Sequence, residues 1–100
     1  MSPEFLTFSE LRLWLPVLDE AQLRADRLRA KQILMNLEGK AWNRPAEAAR
    51  WQGFEGALAL LGLKLCMEYR RRHRLDPLFS FFALRIPREV DQIEVPEWML

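Results

Sequence analysis

Between residues 19 and 39 the apolar positions recur with a helical period, not a strand period. Asp19 followed by Gln22 is a capping-box signature, Leu18 and Leu23 can form the hydrophobic staple, and Gly39 supplies a left-handed C-terminal cap. The pattern therefore predicts a helix over about 20–38. Winding it at about 100° per residue yields two apolar stripes. Leu23, Ala30, Ile33, Leu34 and Leu37 make one, and Ala21, Ala25, Leu28 and Met35 make the other. A helix apolar on two sides is expected to pack between neighbours. Two polar strips separate the stripes: Glu20, Arg24, Arg27, Lys31 and Glu38 on one, and Gln22, Arg29, Gln32 and Asn36 on the other.

Pro45 at a first-turn position with Glu47 behind it predicts a second helix, because proline's missing N–H costs nothing there and an anion suits the positive end. Trp51, Phe54, Leu58, Leu61 and Leu65 recur at helical spacing and carry it to about residue 73. Ala49, Gly53 and Gly56 cluster on one side, which predicts the close approach of another helix. Asp76-Pro77 breaks the chain, and LFSFFAL at 78–84 is expected to form a short helix closing the core. Ser9 can cap one or two turns through Trp14 before Pro16. The tail after Pro87 reads as extended or irregular, with Val95, Trp98, Met99 and Leu100 either docked on the core or offered to a partner. The expected architecture is all-α: one compact domain of three to four helices over 1–100, its core at about 5–86, with an irregular N-terminus and an acidic tail at about 87–100.

Composition narrows the function. Half of the 100 residues are apolar and 11% aromatic, which fits a folded globule. Fifteen Lys and Arg against 14 acidic residues leave a net charge of +1, so any polyanion binding must come from a local patch. Residues 64–74 offer one, with Lys64, Arg70, Arg71, Arg72 and Arg74 against Glu68; residues 89–97 carry Glu89, Asp91, Glu94 and Glu97 and repel anions. One cysteine and one histidine exclude an internal disulfide and a thiolate or imidazole zinc site, and no cofactor is expected. Cys66 reads as a small buried apolar residue. The apolar run Gly56 to Leu63 is too short to span a bilayer, and the start of the chain lacks a basic-then-apolar export pattern, so the chain reads as cytoplasmic.

No paired-carboxylate, Ser-His-Asp or Cys-His arrangement is available. His73 is alone within RRRHR, where neighbouring cations disfavour its charged form. Cations in the last turn of a helix complement its dipole, but Arg70, Arg71, Arg72 and Arg74 exceed that need and are candidates for phosphate or an acidic partner. Tyr69 and Trp51 belong to the apolar stripe and are read as core, with stacking as the alternative.

The order of residues Phe5-Leu6, Val17-Leu18-Asp19, Leu23, Arg27, Gln32-Ile33-Leu34, Trp42, Trp51, Gly53, Glu55 and Ala57-Leu58 resembles the short bacterial and phage proteins grouped with the pyrimidine-dimer DNA glycosylases of the endonuclease V type. The likeness spans nearly the whole chain. It implies an all-α domain that binds and bends duplex DNA, flips a base and cleaves its glycosidic bond, using the N-terminal amine as nucleophile and a carboxylate on the first long helix. Met removal would expose the amine of Ser2. Where the relatives carry the helix glutamate, however, this chain has Arg29, and a guanidinium cannot act as a base at physiological pH. The relatives' NHP histidine is replaced within WNRPAE, and their PPWLGD stretch, which leads into a His-, Arg- and Lys-rich segment, corresponds to PEWML at 96–100.

The reading that follows is a small helical DNA-binding or DNA-associated protein on a scaffold that has lost its chemistry, leaning away from an enzyme. Its candidate contacts are Arg24, Arg27, Arg29, Lys31, Arg70, Arg71, Arg72 and Arg74. The first alternative is a phage or prophage module that modulates a host protein through the acidic tail and Trp98, Met99 and Leu100. The second is a weak glycosylase using the Ser2 amine.

Overall fold

A computed structural model describes residues 5–39, 45–89 and 92–100. The chain enters through Phe5 and forms α1, Phe8–Trp14. Thr7, not Ser9, is its cap: the Thr7 hydroxyl accepts the Glu10 N–H at 3.2 Å and the Glu10 carboxylate accepts the Thr7 N–H at 2.8 Å. Both arms of this box satisfy otherwise orphaned donors, which Ser9, one residue inside the helix, cannot do. A 3₁₀ turn at Leu15–Val17, with Pro16 in its first positions, leads to the second helix.

Helix α2, Glu20–Glu38, has the boundaries its pattern predicts. The Asp19 carboxylate accepts the N–H groups of Ala21 and Gln22 at 3.1 and 3.3 Å, but the Gln22 amide donates to Asp26 at 2.8 Å and does not return to the cap. Gly39 is extended (φ −78°, ψ 167°), not left-handed, while its N–H still closes on the Met35 carbonyl at 3.0 Å. Leu23, Ala30, Ile33 and Leu34 are buried. The second apolar stripe is not: Ala21 and Ala25 are exposed, Leu28 is 45% exposed and Met35 51%. Helix α2 packs on α4 and α3 and leaves this second stripe to solvent, so it is a wall of the domain and not its centre.

The expected helix over 45–73 is two helices. Pro45 occupies the cap position of α3, Ala46–Arg50; the chain then turns through Trp51 to Phe54 and resumes as α4, Glu55–His73. Gly53 makes the turn possible at φ +90°, a region costly for residues with a Cβ. The turn drives Trp51 into the core, where it is 2% exposed. Close helix approach occurs elsewhere than at the Ala49, Gly53 and Gly56 cluster. Ala49 is exposed, Gly53 faces open space and Gly56 lies against Pro87 and Ile93. The tight contact is at Gly62, where a Cβ would overlap the ring of Phe82.

Arg74, left-handed at φ 70°, ends α4. The Asp76 carboxylate then accepts the Leu78 N–H at 2.9 Å and starts α5, Phe79–Ala83, the short closing helix expected from LFSFFAL. The tail ends in a 3₁₀ turn at Glu97–Met99. Met99 is buried and the Trp98 ring meets Trp51 edge-on at 4.7 Å, so both dock on the core while Leu100 stays 67% exposed. Five α-helices and no strand occur among the described residues, and the fold is all-α around α2, α4 and α5. No helix is long and apolar enough to cross a membrane.

Candidate functional site

Helix α2 places its cations on two flanks, and the structure treats the flanks differently. On the flank facing α4 and α5, Arg27 is buried: its Nε donates to Asp76 at 2.7 Å, a second guanidinium nitrogen binds the other carboxylate oxygen, and its plane lies 3.7 Å from the Tyr69 ring centre. Burial pushes the Asp76 carboxyl upward. The hydrogen bonds from Arg27, from the Leu78 N–H and from Cys66 outweigh that and hold it below the usual carboxylate range. Arg27 is thus an internal strut and corrects the expectation that it shares an exposed cationic strip. Of its neighbours on that strip Arg24 is exposed and Lys31 half-buried; Arg24 is 3.8 Å from Glu20, and the Lys31 ammonium stands 6.0 Å from the Phe81 ring centre.

The four arginines that end α4 also divide. Arg72 is held by Glu68 at 2.8 Å and by Glu20 at 3.3 Å, and it donates to the carbonyls of Leu15, Pro16 and Leu18. It therefore ties the end of α4 to the turn before α2. Arg71 binds Glu68 at 2.6 Å yet remains 62% exposed. Arg71 first and burial second, opposed in sign, then Arg72, set the Glu68 carboxyl, which ends below its usual range. Arg70 covers the Phe79 ring at 4.2 Å, and Arg74 is exposed with no carboxylate in ion-pair reach among the described residues. His73 closes on Glu20 at 2.6 Å, which, with a smaller contribution from Arg72, lowers the Glu20 carboxyl. Arg24, Arg70, Arg71 and Arg74 thus remain outward at or near the end where α2 starts and α4 stops.

The other flank of α2 opens on a cavity of about 550 Å³ between the entering chain, α3 and the C-terminal turn. Arg29 reaches into it from α2. Its guanidinium binds Glu47 of α3, stands 3.8 Å from Asp26 and covers the Phe5 ring at 4.2 Å. Arg50 covers the Trp98 ring at 4.0 Å, and Trp98 rests on buried Trp51. The result is a recess with two guanidinium planes, two aromatic surfaces and an acid. Glu10, also at its edge, is committed to the Thr7 N–H. Phe5 is buried beneath Arg29 and Trp98 is half-buried beneath Arg50, so a planar ring would stack on a guanidinium plane and an anion would meet the same cations.

This cavity was only partly legible in the sequence. Arg29 and Trp51 are sequence candidates, but Glu47 is read there only as a first-turn acid, and Arg50 is not singled out. Ser2, the candidate nucleophile of the glycosylase alternative, and Trp42 lie outside the described residues. Cys66 is fully buried, and burial followed by the adjacent Asp76 carboxylate pushes its thiol up to about 12, so it is no nucleophile. Among the described residues no three His, Cys, Asp or Glu side chains converge to hold a metal ion. No family model, no curated protein and no solved structure matches the chain.

Proposed function

We propose that the protein is a small helical DNA-associated protein on an endonuclease-V-like scaffold, without glycosylase or lyase activity. The observation that carries this reading is the recess beside the entering chain, where Arg29 and Arg50 meet the rings of Phe5 and Trp98. Guanidinium planes backed by aromatic rings suit an unstacked base, which can stack on them, and its phosphate. Its carboxylates are paired, Glu47 with Arg29 and Glu10 with the Thr7 N–H. The exposed cations Arg24, Arg70, Arg71 and Arg74, with the half-buried Lys31, are the remaining phosphate contacts; Arg27 and Arg72 serve the fold.

Fluorescence anisotropy with a labelled duplex, intact and abasic, tests the reading. About four phosphate contacts correspond to roughly a 100-fold loss of affinity between 50 and 200 mM salt. Salt-independent affinity, or no binding at low salt, overturns it. Borohydride trapping of a covalent adduct on abasic or dimer-containing DNA would instead establish the Ser2 amine as a working nucleophile. Of the three anchors of the host-protein alternative, Met99 is buried, Trp98 is half-buried against Trp51 and Leu100 is exposed.

A further inference from the structure

A second concavity lies on the far side of α4. Phe8, Leu11 and Leu15 form one wall and Leu60 and Met67 the other, with Leu100 at one end, around a volume of about 600 Å³. The two walls are helix stripes: 8, 11, 12 and 15 on the α1 side and 60, 64, 67, 68 and 71 on α4 follow three- and four-residue steps. The α4 stripe extends about 16 Å at 1.5 Å per residue. Its floor is apolar and open: Met67 is 56% exposed and Leu100 67%. Its rim carries Arg12, Lys64 and Arg71 against one carboxylate, Glu68, which Arg71 and Arg72 already hold. Arg12 and Lys64 have no carboxylate in ion-pair reach among the described residues, whereas Arg27, Arg29, Arg72 and Arg85 are all paired within the chain.

We infer that this groove is a docking site for an acidic amphipathic helix of a partner protein. The argument is charge complementarity over an apolar trough of helical length. Leucine-like anchors spaced i, i+4, i+7 fill the floor, and carboxylates flanking them meet Arg12 and Lys64. Helix-in-groove recognition uses this arrangement, and an unbranched side chain such as Met67 adapts to the anchors. The groove and the recess beside the entering chain share no lining residue, so either assignment can fail alone.

The test uses three probes against the full chain labelled with ¹⁵N: an 18-residue helical peptide with leucine anchors flanked by glutamates, the same peptide with lysines for glutamates, and oleate. The acidic peptide is expected to bind with Kd in the micromolar range and to shift the amides around Leu11, Leu60, Lys64 and Met67. The lysine peptide should bind at least tenfold more weakly. The double variant Arg12→Glu/Lys64→Glu should invert that preference while melting at the temperature of the parent. Equal binding of the two peptides, shifts centred elsewhere, binding of oleate but neither peptide, or a dimer in sedimentation that buries Met67 would each overturn the assignment.

Discussion

Arg27 and Arg29 stand two residues apart on one helix, each faces a carboxylate from another element, and each covers an aromatic ring. Their circumstances differ in solvent. The Arg27 side chain is 6% exposed and its partner Asp76 is fully buried; Arg29 is 24% exposed and Glu47 47%. In the first pair the charges have left water and depend on each other, so the pair holds α2 to the start of α5. In the second, water screens the pair and Glu47 can give way to a competing anion. The same residue type on the same helix is therefore a structural strut on one flank and an available contact on the other, and what separates them is the closeness of neighbouring elements.

The largest expected effect breaks the buried pair. Asp76→Ala leaves the Arg27 guanidinium uncompensated and should cost about 3–5 kcal/mol, read by urea unfolding at neutral pH. Replacing both partners by apolar residues of similar size, Arg27→Met with Asp76→Leu, should recover most of that loss, because no lone charge stays behind. If Asp76→Ala unfolds no more easily than the parent, the strut is not one.

Acid should act next. Asp76 and Glu68 have folded-state carboxyls below their unfolded values, so the folded protein binds fewer protons there. Their stabilisation is present above the usual carboxylate range and is lost as pH falls through that range toward the folded values. Thermal melting followed from pH 6 to pH 3 (approximate endpoints) should show this fall, and Asp76→Ala should flatten it.

Asp26 carries the opposite sign. Burial raises its carboxyl despite the bond from Gln22 and the charge of Arg29, so its contribution is present at low pH and lost as pH rises. Asp26→Asn keeps the acceptor for the Gln22 amide and should raise stability at neutral pH by roughly 0.5–1 kcal/mol, with no gain in acid. The smallest effect belongs to the open pair: Glu47→Gln should change stability by no more than about 0.5 kcal/mol. It frees Arg29, so the same variant should bind labelled duplex more tightly in the anisotropy measurement. A stability loss comparable with that of Asp76→Ala would erase the distinction between the flanks.

Local chemistry could be read directly where it decides structure within a few residues. The Asp19 cap, the bounds of α2, the break at Asp76-Pro77 and the short closing helix depend on neighbours along the chain, and all occur. The misassignments lie where a second local solution competes. Thr7 with Glu10 offers a fuller cap than Ser9, and Gly53 allows a turn that interrupts an otherwise continuous helical pattern. The period of that pattern continues through the turn because Trp51, buried, and Phe54, packed against the core, are apolar residues of the turn itself.

What the sequence determined by itself was the all-α character and one of the two apolar stripes of α2, the one that becomes core, since each follows from residue type and spacing. Only the tertiary structure decided which cations are spent on the fold. Arg27 meets Asp76 across 49 positions, Arg29 meets Glu47 across 18, and Arg72 meets Glu20 across 52. The physical reason is the reach of the information. Helical period and capping act over three or four residues, whereas a guanidinium's availability depends on which distant carboxylate the packed chain brings beside it and on how much water remains between them.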